Sequence, residues 1–490
     1  MKNLIIKISS LLFSVLFLVS CSDFEDMNID PKKPANVDPS YLFTYAEIEL
    51  SDYLNSPGVG TNVGRLLSQQ LSQVTYVTES RYLFDDRQLS DALWNNSYRD
   101  VLNNLKLAKE QLPNFDTNED NIATKNAMIT VLEVYTYQLM VDAFGNIPYG
   151  EALAGADIKS PAYDDAATIY SDLVARVNEA IEDLPRGTGF GSSDIIYDGS
   201  SADWIKFANA LKIRLGMRLA DVDASQAQSL VESAAENTFA SNADNAVLNY
   251  PGGSYANPIY VNLVVSGRND YVISETFVDI VNPLNDPRRA YFMEPAEETG
   301  DYAGLRYGLE TGVGLGDVPN YSTIGSNILA ETFRGVFMDY SEVASYLAEA
   351  AQRGWNVGGT AQEWYEESVT ASITDWASTV DDGNDGVADA VAYLAQPEVA
   401  FATAEGGDAM NAIAKQRYIS LFNRGMTAWY EWRRMDYPSL VPPVGMDASD
   451  IPTRLQYPVD ERNVNNANRQ DAASAIGGDE LTTKVFWDVN

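Results

Sequence analysis

A mainly α fold is predicted, in which helical hairpins form a frame and a loop-rich half rests on it. Three observations carry this. Apolar residues recur at steps of three and four in many stretches. Glycine or proline closes most of those stretches after a short turn. Between the two sets of helices lies a long segment in which the periodicity fades.

The elements follow in order. Arg99 to Leu112 reads as a helix stopped by Pro113. Ile122 to Phe144 is longer, with Ile122, Ile129, Leu132, Tyr135, Leu139 and Ala143 along it; Gly145 ends it and Ile147-Pro148-Tyr149-Gly150 forms a turn. Asp165 to Leu184 carries Ile169, Leu173, Val177, Ala180 and Leu184, with Asp164 as its expected cap and Pro185 as its end. Ala202 to Val222 repeats the pattern through Trp204, Phe207, Leu211, Leu215, Arg218 and Val222. Lys206, Lys212 and Arg214 fall off that stripe, as solvated charges should.

In the second half Ser341 is the expected cap of Glu342 to Arg353, followed by Ala361 to Ala377, Met410 to Phe422 and Gly425 to Met435. Two helices joined by a short turn, with small residues on the packing faces, suit tetratricopeptide-like hairpins stacked in a superhelix, although no strict repeat signature is present. Asn245 to Glu331 is dense in Gly, Pro, Asn and Tyr and reads as long loop with short strands; Leu440 to Asn466 is similar. Long loops in compact proteins are usually functional or mobile.

The first residues bear on compartment. Lys2 and Lys7 form a basic head, Leu11 to Val19 an apolar run, and Leu18-Val19-Ser20 precede Cys21, the single cysteine. This pattern describes a secretory signal peptide over residues 1–20, too short for a membrane span. The placement of Cys21 resembles a bacterial lipobox. That resemblance implies a thioether-linked diacylglycerol and an acylated amino group (palmitate), which together anchor stably. Ser22-Asp23-Phe24-Glu25-Asp26 is similar to the acidic signal of surface-exposed Bacteroidetes lipoproteins. Asn28 to Pro39, with three prolines, reads as an extended tether.

Composition excludes several chemistries. A formal net charge of −37 disfavours nucleic acid and anionic lipid. With no histidine and no cysteine beyond Cys21, Ser-His-Asp and Cys-His nucleophiles, the usual zinc ligands and a neutral-pH proton shuttle are all missing. Carboxylate chemistry stays open, chiefly glycoside hydrolysis by an Asp/Glu pair among 70 acidic residues. The aromatic content leans to rings with a polar handle: 28 Tyr and 8 Trp against 17 Phe. Such rings suit a partly wet surface that stacks on sugar C–H faces, and most of them also serve as core.

Several segments together resemble the SusD/RagB family, in its SusD-like 2 branch, over nearly the whole chain after Cys21. They are Cys21 to Pro39, Val141-Asp142-Ala143-Phe144-Gly145-Asn146-Ile147-Pro148-Tyr149, Tyr197-Asp198-Gly199 with Trp204 to Asn209, and Asn285-Asp286-Pro287-Arg288-Arg289. To these add Tyr340 to Ala351, Gln416 to Arg434, Arg454-Leu455-Gln456-Tyr457-Pro458 and Phe486-Trp487-Asp488. The resemblance implies a tetratricopeptide-like scaffold and a loop-rich ligand half. It also implies a lid over a SusC-like TonB-dependent outer-membrane transporter, with oligosaccharide as the usual ligand, peptide in some relatives, and no catalysis or cofactor.

On that basis residues 1–20 are the leader, 21–40 the lipidated tether and 41–490 one domain. Its scaffold spans 90–222 and 340–436; its loop-rich part spans 245–331 and 437–490. The quoted motifs are expected to be structural: Asp286-Pro287-Arg288 a turn with an ion pair, Trp94 and Trp204 packing residues, Arg433 and Arg434 ties from helix to loop. The family's binding regions fall here on Thr75 to Arg87 and Tyr291 to Tyr321. The candidate ligand residues are therefore Tyr76, Arg81, Tyr82, Asp85, Tyr302, Tyr307 and Tyr321, the rings stacking and Arg81 and Asp85 bonding hydroxyls. Asp381 to Asp389 resembles a calcium loop in composition. Its spacing fails, with Gly383 where a ligand belongs, so it reads as an exposed turn and no metal is expected. Two other classes stay open: a surface glycoside hydrolase, and a helical scaffold that binds only protein.

Overall fold

The computed structural model describes residues 36–155, 157–310 and 317–489. The expected leader, Cys21 and most of the tether lie outside them, as do residues 311–316 of the central loop. Helix takes 54% of the described residues, in line with the expected mainly α class. Among the described residues, no helix is long and apolar enough to cross a membrane.

The chain opens on α1 (Pro39–Asn55). Pro39 sits at its first position and Asp38 accepts from the Ser40 amide at 2.9 Å. Phe43, Ala46 and Leu50 bury its inner face. Then come α2 (Val63–Leu67), strand β1 (Leu71–Gln73), α3 (Leu89–Asn95), a π-helical stretch Asn96–Leu102, and α4 (Asn103–Phe115). The first hairpin stack is α5 (Glu119–Phe144), α6 (Ala166–Asp183), α7 (Ser201–Arg218) and α8 (Ala224–Ala234), each packed on the next; β2 (Ile147–Pro148) and β3 (Tyr163–Asp164) pair beside it.

The central segment holds β4 (Ala246–Leu248), β5 (Tyr271–Ile273), α9 (Glu275–Val281), α10 (Arg289–Phe292), β6 (Met293–Glu294) and β7 (Thr323–Ile324), and ends at β8 (Gly335–Met338). These strands pair antiparallel, β1 with β5, β4 with β8 and β6 with β7. The second stack is α11 (Tyr340–Gln352), α12 (Ala361–Ala377), α13 (Val387–Leu394), α14 (Ala409–Ser420) and α15 (Gly425–Met435). Here α11 packs on α12 and α14, and on α7 of the first stack. Short α16 (Val459–Val464) and α17 (Asn466–Ala475) close the chain.

Several expectations change. Pro113 does not stop its helix: it lies in the last turn of α4, which runs on to Phe115. So near the end a proline forfeits one hydrogen bond and little else. Asp165, not Asp164, caps α6, accepting from the Thr168 amide at 3.0 Å, because the Asp164 carboxylate is drawn to the Tyr149 and Gly150 amides at 3.0 and 2.8 Å. Asp339, not Ser341, caps α11; Ser341 lies inside the helix and donates to the Ser368 carbonyl. Arg214 is buried rather than solvated, its Nε donating to Glu342 Oε1 at 2.8 Å. Arg434 ties helix to helix through Glu349, whereas Arg433 does bind loop, at the Thr453 carbonyl. The central segment contains the short helices α9 and α10 as well as strands. Asp286 and Arg288 form the expected turn and ion pair at 2.6 Å, and Trp94 and Trp204 are buried.

Candidate functional site

The segment after α2 is fixed to the scaffold one residue at a time. Gly64 and Gly425 face each other so closely that a Cβ on Gly64 would stand 2.3 Å from the Met426 amide nitrogen, so α2 and α15 meet through bare backbone. Gln70 donates to the Leu421 carbonyl at 2.8 Å and accepts from the Asn423 amide at 3.0 Å. Tyr418 donates to the Ser68 carbonyl at 2.9 Å. Buried Gln69 bonds both ways with Val441 and accepts from Thr276. These contacts deliver β1 to its partner β5 in one register.

Just past β1 the chain turns out. Gln73 receives the Ser80 amide at 2.9 Å and donates to Glu79 at 2.8 Å, which folds the turn back on itself. Thr75 donates to Asp270 Oδ1 at 2.6 Å. Between these anchors Tyr76 sits at φ 52°, a conformation that costs a non-glycine residue about 1 kcal/mol or more. The consequence is a ring 62% exposed on a braced turn. Two guanidiniums lie over it, Arg268 at 5.5 Å and Arg87 at 5.7 Å from the ring centre. Arg268 is held by Asp270 Oδ2 at 2.6 Å, and Arg87 by Glu79 at 3.4 Å.

Beside this turn lies an open groove of about 320 Å³. Leu263 and Val264 give it an apolar wall; Arg268, Asn269, Asp270 and Tyr271 give it a polar one. Thr323 and Ile324 of β7 lie across from them. Arg268 and Asp270 therefore serve both the Tyr76 turn and the groove.

The seven candidate residues divide. Tyr76 presents its ring to solvent. Tyr321 is half-buried and packs on the small cluster of Val74, Val272 and Leu305, of which Val74 lies two residues before Tyr76. Tyr302 is half-buried with Arg289 over its ring at 5.2 Å. Tyr82 and Tyr307 are core residues, 8% and 0% exposed, their ring centres 6.4 Å apart. Neither hydroxyl has a hydrogen bond of normal geometry, although the two interact with each other, and burial pushes both well up from the usual tyrosine range. They offer no face to a ligand as the structure stands. Arg81 donates to the Gly308 and Val444 carbonyls at 3.0 and 3.2 Å, and Asp85 accepts both Arg462 Nη groups at 2.9 and 3.1 Å. Arg81 thus ties its turn to two loops, and Asp85 ties its own to α16.

Arg268, Asp270 and the Leu263–Val264 wall were not among the residues singled out from sequence. The available signal was the apolar run Tyr260 to Val265 followed at once by Ser266-Gly267-Arg268-Asn269-Asp270, a turn-forming string with charges. The Asp381 to Asp389 string is a turn knit by its own side chains, with Asn384 donating to Asp389 and its amide to Asp382. Among the described residues no group of three or more carboxylates is arranged to hold a metal ion.

Comparison with known proteins gives a consistent picture. The SusD-like 2 family model, described as starch-binding associating with outer membrane, matches residues 31–458. A solved chitin-binding protein is 27% identical with a TM-score of 0.80, over 92% of this chain and all of that one. A chitin-binding SusD homolog from Flavobacterium johnsoniae is 25% identical with a TM-score of 0.76, over 92% and 98% of the two chains. A SusD homolog from Bacteroides uniformis is 27% identical with a TM-score of 0.74, over 92% and 100%. No curated protein sequence matches this chain.

Proposed function

The chain belongs to the SusD-like family, and from that premise we propose that it captures an oligosaccharide at the outer-membrane surface and hands it to a SusC-like TonB-dependent transporter without cleaving it. Cys21 would carry the lipid that holds it there. The observation that carries the reading is Tyr76: a large ring kept outward on a strained, braced turn, joined through Arg268 and Asp270 to a groove lined by apolar and polar residues. A sugar has a C–H face for the ring and hydroxyls for the groups around it. Arg268 and Asp270 stand where a ring on Tyr76 would place its hydroxyls, and Tyr321 supports the turn from below.

The reading extends to the ligand. Two structural relatives are described as chitin-binding, and an acetamido methyl matches the Leu263–Val264 wall. N-acetylglucosamine oligosaccharides are therefore the first ligands to test. Calorimetric titration of the purified chain with chitotriose is expected to show saturable binding with no new reducing ends. Tyr76→Ala should weaken it about tenfold, the 1.4 kcal/mol of a lost stacking contact and its neighbours. Undiminished affinity in that variant would remove Tyr76 from the site, and release of shortened sugars would replace capture by hydrolysis.

A further inference from the structure

Helix α1 carries a second face that the Tyr76 groove does not use. Tyr41, Tyr45, Glu49 and Asp52 follow at steps of four, four and three and so share one side of the helix. Tyr41 is 70% and Tyr45 43% exposed. Their backbones are about 6 Å apart along the axis, close to the repeat of one residue in an extended β-linked glycan. The stripe runs into an open groove of about 390 Å³ between α1 and the Leu89–Asn95 and Asn96–Leu102 helical stretches.

The lining of this groove is rich in acceptors. Asp52 is fixed from behind, its Oδ1 accepting from Tyr250 at 2.8 Å and Tyr255 at 3.3 Å, which leaves Oδ2 outside both bonds. Asn96 donates to the Glu49 carbonyl at 3.2 Å, while its own Oδ1 is buried away from solvent. Arg99, the cation in this lining, is engaged by both oxygens of Asp100 at 2.7 and 2.8 Å. A ligand that fits must bring O–H donors and flat C–H faces and no negative charge.

We propose that this face is a second docking site for a neutral oligosaccharide, with Tyr41 and Tyr45 as stacking platforms and Asp52 accepting its hydroxyls. The residues are independent of the Tyr76 groove; only the ligand class rests on the reading above. The two grooves flank one segment: Tyr271 in the first donates to the Pro57 carbonyl at 3.0 Å, and Ser56 and Thr61 line the second. A long glycan can therefore engage both, and a short one only one at a time.

The test compares chain length. Soluble glycol chitin and chitotriose are titrated into the full chain and into Tyr41→Ala/Tyr45→Ala, with thermal melts to confirm folding and sodium alginate as the anionic probe. Expected is a loss of affinity of at least fivefold for glycol chitin, a change under twofold for chitotriose in the Tyr76 groove, and no alginate binding. Unchanged glycol chitin affinity would overturn the second site. So would an equal loss for both glycans, which would assign the two tyrosines to the first site, or alginate binding that the double variant abolishes. An unmodified chain that binds neither glycan would overturn the glycan reading itself, and this face with it, a result distinct from the loss of length dependence alone.

Discussion

Arginine serves two opposite purposes in the helical interior and at the Tyr76 rim. Inside, Arg434 and Arg417 converge on Glu349, with bonds of 2.5 to 2.8 Å, and both reach Glu431 at 2.8 Å. Arg218 bonds Glu431 as well, and Asp142 at 3.0 Å. These groups come from α5, α7, α11, α14 and α15, so the network crosses both hairpin stacks. At the rim, Arg268 is held by one carboxylate through Nε, which leaves both Nη groups outside that bond, and it lies over a ring that faces solvent. A buried charge must be matched by partners within the protein and cannot serve a ligand. A charge at the rim, oriented but only partly engaged, can. The difference separates the part of the molecule that must not move from the part that can accept a guest.

The comparison breaks most visibly at Glu349. Glu349→Ala leaves the buried Arg434 and Arg417 guanidiniums with Glu431 as the carboxylate they still share and is expected to cost about 3–5 kcal/mol in chemical denaturation. Chitotriose affinity of the remaining folded protein should be unchanged. A loss below about 1 kcal/mol would mean that the network does not hold the stacks together.

Acid sharpens the same contrast. Burial alone would raise the Glu349 carboxyl. Arg434, Arg417 and Arg353 outweigh it and hold the group at about 2, against 4.5 unperturbed. A carboxylate depressed in the folded state contributes stability that is fully present above about 4.5 and lost as pH falls through that value toward 2. The shift corresponds to about 3 kcal/mol. Urea unfolding at pH 7 and pH 3 should differ by about 2 kcal/mol, the part of that loss reached by pH 3, and Glu349→Gln should reduce the slope. An equal slope in both would place the acid sensitivity elsewhere.

The smallest effect belongs to Tyr307. Its buried hydroxyl has Tyr82 beside it but no hydrogen bond of normal geometry, so Tyr307→Phe should leave stability unchanged or raise it by up to about 1 kcal/mol. Glycan affinity should stay within twofold. A large affinity loss would return Tyr307 to the ligand surface, through a rearrangement of the rim.

What was legible in sequence follows the range of the interaction that decides it. Ala361–Ala377 and Gly425–Met435 lie where the three-and-four spacing puts them, because helix periodicity is a local property. The caps failed at neighbouring choices. Asp164 and Asp165 have the same propensity, and the Tyr149 and Gly150 amides across the turn decide between them. Arg214 looked solvated because its partner, Glu342, lies 128 residues away. In the site, the family resemblance pointed to two tyrosine-bearing regions but could not sort their rings by burial. Tyr307 and Tyr76 have similar loop surroundings in sequence, yet one closes the core and the other is turned out by a backbone conformation that nothing local announces. Arg268 and Asp270 went unnoticed because their role arises only when β5 pairs with β1 and brings them beside Tyr76.

A crystal structure of the chain soaked with chitotriose tests the central claim most directly. The account predicts a pyranose face against the Tyr76 ring, with its hydroxyls or acetamido group reaching Arg268 and Asp270 and the glycosidic bonds intact. Sugar bound elsewhere with Tyr76 bare, or a cleaved sugar in the groove, would contradict it.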